Sequence, residues 1–361
     1  MSENSRRVTL AATAAGLLAT ALVLGGCSTS DGGGAAAPSG GQSADSQTLD
    51  DLYQQAIDNG ETTITVYGPG EAQLEAVYAE FSKRFPGIEV HGEFLFGGEL
   101  EARLQQESAT GQHVGDLVHF DDAIRYHDIM VPFDIVGVDD VPDDVSLYDG
   151  RLYVTTRALF GFGYNEDKLA EADVPTTWEG VVADDFDAVV GMSDPTSLAT
   201  TSTVLYTAYK AGVVDDDWFE KLAARKPAIF QSTSQTVAAL ASGEVDFMPV
   251  TYYGYVLTQR AQGANIGFVI PDDGVVLQDA PYGLLDGAPS PTASQLLVSW
   301  LLSEEGQTAL ADKVSEYGTM PGAPAPAGLP AADELTVFEP LPVEDRIAFK
   351  EEAAAFLGTW F

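Results

Sequence analysis

The chain has 361 residues, with 55 acidic side chains against 17 basic ones, for a formal net charge of −38. That balance excludes nucleic acid as a partner, because phosphates would be repelled. The hydrophobic fraction of 45% is that of a folded globular protein, so the charge signals a soluble acidic surface rather than disorder.

The chain starts with "MSENSRRVTL", carrying Arg6 and Arg7, and then runs from Val8 to Leu24 without a charge. A basic start, a short apolar stretch and small residues at the cut predict a secretory signal peptide over residues 1–26. The stretch falls short of the ~20 strongly apolar residues a bilayer core requires. Cys27 is the only cysteine, so no internal disulfide or thiolate cluster is possible. Its place directly after Leu24-Gly25-Gly26 resembles a bacterial lipobox, which implies a lipid on Cys27. "SRRVTL" half-matches a twin-arginine signal, which leaves the export route open. Residues 28–47 are Gly, Ser and Ala-rich with no large apolar side chain. Residues 27–47 are therefore expected to be a lipidated flexible tether to the outer face of the cell membrane.

The periodic part starts at Thr62. "TTITVY" (62–67) reads as a buried strand and "EAQLEAVYAEFSKRF" (71–85) as a helix stopped by Pro86-Gly87. "IEVHGEFLF" (88–96) predicts a strand, "GGELEARLQQESA" (97–109) a helix and "DLVHF" (116–120) a strand. This alternation predicts an α/β unit with a parallel sheet. It resumes with a strand at 188–192, a helix opened by "DPTSLATTS", a helix at 216–225, a short strand "AIF", a helix at 233–243, a strand at 245–250, a helix at 252–263 and a strand at 266–270. The tail reads as helical. Two α/β units predict two lobes, with a ligand crevice where strand ends face each other.

The stretches "ITVYGPGEAQLEAVYAEFSKRFPGIEV", "GYNEDKLAEADVPTTWEGV", "FQSTSQTVAALASGEVDFMPVTYYGY" and "LLSEEGQTAL" carry a resemblance over about residues 60–325. The chain resembles the extracellular solute-binding proteins of ABC importers, in the branch that includes ferric-ion binders. The resemblance implies a two-lobe periplasmic-binding-protein type II fold, with the ligand cleft between the lobes and two hinge crossings near "LYVTTRALFGFGYN" and "VIPDDGVVLQDAPYG". Lobe 1 is then expected over 48–155 plus 275–361, and lobe 2 over 156–274. The implied role is to capture a solute as a monomer and hand it to a membrane permease with its ATPase.

In iron-binding members two adjacent tyrosines follow the strand after "SGEV", which places Tyr252 and Tyr253 as metal ligands. Phenolate oxygen suits a hard trivalent cation, so Fe3+ is expected as cargo rather than as a cofactor. The bland alternative is a packed aromatic patch. The first strand ends at Tyr67, and Glu71 stands where iron binders often carry histidine. Glu71 either replaces imidazole as a hard ligand or is an acidic first-turn residue of a helix.

Thr196, Ser197, Thr200 and Thr201 open one helix, Ser232, Thr233 and Ser234 another, and Gly97 and Gly98 a third. Helix starts rich in hydroxyls and free N–H groups suit an anion, though each alone is also an ordinary cap. Arg157 in a crossing segment is either an anion clamp or a surface ion pair. These features also suit an anionic organic solute such as a sugar phosphate or carboxylate. The acidic surface and aromatic rings would suit a polyamine. A secreted enzyme is the other class, but the sequence has no GxSxG, HExxH or P-loop pattern. A ligand sensor would use the same fold.

Overall fold

The computed structural model describes residues 47–361, apart from 199 and 340. The expected signal peptide, most of the tether and the lipidation at Cys27 lie outside the described residues.

The first half contains α1 (Leu49–Asn59), β1 (Thr63–Gly68), α2 (Glu71–Arg84), β2 (Glu89–Phe94), α3 (Gly97–Thr110) and β3 (Leu117–His119). Thr48 and Asp51 close α1 with a reciprocal capping box. β1 pairs in parallel with β2 and β3, as the alternation predicts. A 3-10 helix, Asp121–Ile129, follows β3, and the short β4 (Ser146–Leu147) precedes β5 (Leu152–Asn165).

β5 is the spine of the molecule. Its first half pairs antiparallel with β10 (Val276–Leu284), and its second half with β8 (Phe247–Tyr252) and β9 (Ile266–Val269). Both expected crossings are therefore long strands of one nine-stranded sheet, which reaches into both α/β units. The second unit adds α4 (Trp178–Val181), β6 (Gly191–Ser193), α5 (Thr200–Lys210), α6 (Asp216–Ala224), β7 (Ala228–Phe230), α7 (Thr233–Ser242) and α8 (Tyr253–Ala261). α9 (Pro291–Leu302), α10 (Glu304–Lys313), β11 (Tyr317–Gly318) and α11 (Arg346–Leu357) complete the chain.

Two large cores lie at the two ends of β5. The first gathers Val77, Phe81, Phe85, Leu297 and Trp300, the second Phe162, Trp178, Trp218, Phe219 and Phe247. Trp178 and Trp218 satisfy their buried indole N–H groups by donating to the carbonyls of Gly274 and Trp178. The tail departs from the expected division. Phe356, Leu357 and Trp360 pack with the second core, although chain order assigns residues 275–361 to lobe 1. A helical tail with an apolar stripe goes to whichever surface buries it, and α5 offers that surface. Among the described residues no helix is long and apolar enough to cross a membrane.

Candidate functional site

"TYYGYV" spans the junction of β8 and α8, so its tyrosines do not alternate as they would in mid-strand. Tyr252 sits at the helix N-cap with extended backbone, and Tyr253 is the first helical residue. Gly254 follows because a Cβ there would meet the Tyr252 ring at 2.5 Å. Tyr255 packs edge-on against Tyr252, with centroids 5.1 Å apart. Tyr253 turns to Phe268, at 5.0 Å, in a cluster with Leu159 and Tyr317.

The Tyr252 hydroxyl donates to Glu316 Oε1, and Glu316 lies just before β11. Burial, and then the Glu316 charge, push the Tyr252 phenol well above the ordinary tyrosine range. Tyr317 is pushed up to about 12 by burial and by Tyr253. The two tyrosines thus approach consecutive residues, Glu316 and Tyr317, which sequence reasoning missed. No motif marks "SEYG"; only the register of β11 on β5 brings it to the crossing, with Tyr317 opposite Arg157.

Tyr67 and Glu71 are committed to internal partners. Tyr67 is fully buried and donates to Glu107 Oε1 at 2.6 Å, while Glu107 also accepts from the Val114 and Gly115 N–H groups. Gly115 leaves room for the ring, since a Cβ there would lie 2.3 Å from Tyr67. Glu71 is 3% exposed and takes the Tyr78 hydroxyl at 2.5 Å and His119 Nδ1 at 2.9 Å. Tyr78 bonds Tyr282 at 2.9 Å, and His119 stacks on Tyr282 at 3.8 Å. Gly68 and Gly92 clear space for the Glu71 side chain, with would-be Cβ contacts of 2.4 Å. The tyrosines of this network are pushed upward by burial first and the Glu71 charge second. At Tyr282 the Glu316 charge pushes the same way. Glu71 is the first residue of α2, the acidic first-turn position that one sequence alternative gave it, and it is also the hub of a buried polar network, which neither alternative included. The imidazole of the network is His119.

The two hydroxyl-rich helix starts converge. Ser193 Oγ at the end of β6 lies 2.5 Å from Thr201 Oγ1 of α5 and 3.4 Å from Thr233 Oγ1 of α7. Ser193 is buried and was not singled out by the sequence. Thr196 donates its N–H and hydroxyl to Asp194 Oδ1, and Ser197 donates to the Asp194 carbonyl, so both shape the turn before α5. Thr200 is the first residue of that helix. Ser232 caps α7 by accepting from Gln235 N–H, with Ser234 Oγ 3.0 Å away. Gly98 is exposed in the first turn of α3, with open space beside it. Arg157 is held by Asp144 at 2.6 Å and Asp279 at 2.9 Å, so its donors serve the hinge strands rather than a free anion clamp.

Among the described residues no group of three or more His, Cys, Asp or Glu could hold a metal ion.

The profile of the bacterial extracellular solute-binding proteins matches residues 76–336. The chain belongs to this family. The solute-binding protein is similar to a probable ABC transporter periplasmic-binding protein, y4fP, of Sinorhizobium fredii, at 24% identity over 297 residues, covering 77% of this chain and 81% of the relative. It is also 28% identical over 155 residues to an uncharacterized protein of Haemophilus influenzae, spanning 41% of this chain and 44% of that relative. Iron-bound HitA of Pseudomonas aeruginosa superposes with a TM-score of 0.62 at 21% identity, covering 81% of this chain and 99% of that one. AfuA of Actinobacillus pleuropneumoniae, solved with fructose-6-phosphate, gives 0.65 at 16% identity, covering 83% and 98%. These likenesses establish the two-lobe periplasmic-binding-protein type II fold. The family works outside the cytoplasm and binds solutes rather than transforming them.

Proposed function

We propose that this solute-binding protein captures ferric iron outside the cell and delivers it to an ABC permease and its ATPase. The observation that carries the reading is Tyr252 and Tyr253 at the β8–α8 junction, with the Glu316 carboxylate on the Tyr252 phenol. A proton now joins two hard oxygens, and a ferric ion would replace it, turning phenol and carboxylate into ligands. The raised phenol makes that exchange release protons, so binding weakens as pH falls. Iron-bound HitA among the similar structures supports the reading.

The convergent starts of α5 and α7, joined through Ser193, supply N–H groups and hydroxyls for a synergistic anion beside the metal. Thr200, Ser232 and Ser234 stand at these starts. Cys27 carries the lipid that keeps the monomer at the outer face of the membrane, and residues 28–47 give it reach.

The same helix starts favour a second reading, an anionic organic solute such as a sugar phosphate held without iron, which the fold likeness to AfuA supports. A thermal-shift comparison of ferric citrate, citrate, fructose-6-phosphate and spermidine separates the two. Ferric iron is expected to raise the melting temperature, and citrate alone is not. A shift with the sugar phosphate and none with iron would replace the first reading by the second.

A further inference from the structure

The family match ends at residue 336, so the last 25 residues lie beyond it. They are not a loose appendage. α11 carries two adjacent stripes at helical spacing, one cationic at Arg346 and Lys350, one apolar at Phe349, Ala353 and Leu357. The apolar stripe packs on the second lobe. Phe349 meets Tyr206 of α5 at 4.9 Å, Phe356 meets Tyr209 at 4.5 Å, and Trp360 stacks on Phe219 of α6 at 6.1 Å.

The cationic stripe goes elsewhere. Lys350 is 6% exposed, and its ammonium donates to Asp121 and, at 2.6 Å, to Asp122. Both carboxylates stand directly after β3, in the first lobe. Arg346 reaches Asp279 of β10 at 2.8 Å, and Asp279 also holds Arg157 of β5. One helix is thus fastened to lobe 1, to the hinge strand β10 and to lobe 2. A cavity of about 100 Å3 lies beneath it, bordered by Asp121, Thr203, Gln278 and Lys350.

We propose that α11 and the residues after it form a clamp across the lobes, with Lys350 as its latch, which holds them in one relative orientation. Two-lobe binding proteins close by rotation about their crossing strands. With α11 fixed to both sides, that rotation requires either the apolar stripe or the buried ammonium to leave its partners. The ammonium is the switchable element, because a paired lysine can move into water while aromatic rings cannot. The clamp acts whichever solute the cleft takes, so it stands apart from the ferric reading.

The test uses the full chain with Cys27→Ser, which removes the sole native thiol, and nitroxides on Gln105→Cys of α3 and Ala238→Cys of α7, both exposed positions. Pulsed dipolar spectroscopy without ligand reads the distance between lobes. The parent is expected to give one narrow distribution. Lys350→Met, and separately Asp121→Asn with Asp122→Asn, are expected to broaden it or add a second distance, with far-UV circular dichroism unchanged. The aspartate pair breaks the latch from the other lobe and carries the test if Lys350→Met fails to fold. A parental distribution in whichever variants fold would overturn the clamp.

Discussion

Tyr252 and Glu316 are 64 positions apart in sequence and share one hydrogen, the phenol donating to the carboxylate. The pair spans the crossing between lobes, because Tyr252 ends β8 while Glu316 precedes β11 on β5. Changing either partner has a different consequence. Tyr252→Phe removes the donor and leaves a half-buried carboxylate without its partner, at a cost of about 1–3 kcal/mol. Glu316→Gln keeps an acceptor oxygen, so stability falls less in urea titrations. Both are expected to weaken ferric binding by at least about tenfold, which is ~1.4 kcal/mol.

The Glu71 network is expected to govern stability rather than ligand. Tyr78→Phe strips a buried acceptor of its donor, and Glu71→Gln loses charge assistance from two donors. Each is expected to destabilise the apo protein by about 1–3 kcal/mol, with ferric affinity changed by less than about threefold. A tenfold loss of affinity in Glu71→Gln at unchanged stability would return Glu71 to the ligand set.

Gly115 touches the Tyr67 ring so closely that an added methyl has nowhere to go. Gly115→Ala must displace the ring and stretch its bond to Glu107, which also holds the Val114 and Gly115 N–H groups. A loss of about 1–3 kcal/mol is expected, as for other overpacked sites, and chemical denaturation measures it.

Asp116 supplies a pH dependence. It is 1% exposed, and burial pushes its carboxyl from 3.8 up to about 6, against hydrogen bonds from the Thr65 and Ser290 N–H groups. The folded protein holds this proton more tightly than the unfolded chain. Its contribution is therefore full below about pH 4 and is lost as pH rises through about 6, by an amount on the order of 3 kcal/mol. Across that window the natural protein should lose stability relative to Asp116→Asn. Parallel stability curves for the two would contradict the assignment.

Most element positions were legible because helix and strand periods separate cleanly here. α2, α3, α7 and α8 fall within one or two residues of the sequence reading, and the parallel pairing of β1 with β2 follows from the alternation. The crossings were legible as segments but not as strands. β5 and β10 are paired by register across more than a hundred residues, which no local pattern encodes. The site was half legible. "TYYGYV" announces itself by composition, whereas Glu316, Ser193 and His119 are ordinary residues until long-range pairing brings them to Tyr252, Thr201 and Glu71. For Arg157 the sequence left anion clamp and ion pair open, because its partners, Asp144 and Asp279, lie 13 and 122 positions away and no local pattern names them.

The measurement that bears most directly on the central claim is visible absorbance of the metal-stripped protein titrated with ferric citrate. Phenolate ligation predicts a new charge-transfer band that saturates at one iron per chain, weakens in acid and is lost or shifted in Tyr252→Phe and in Tyr253→Phe. A titration with no band, or a band that both variants retain unchanged, would contradict the claim and leave the tyrosines as walls of a cleft for an organic solute.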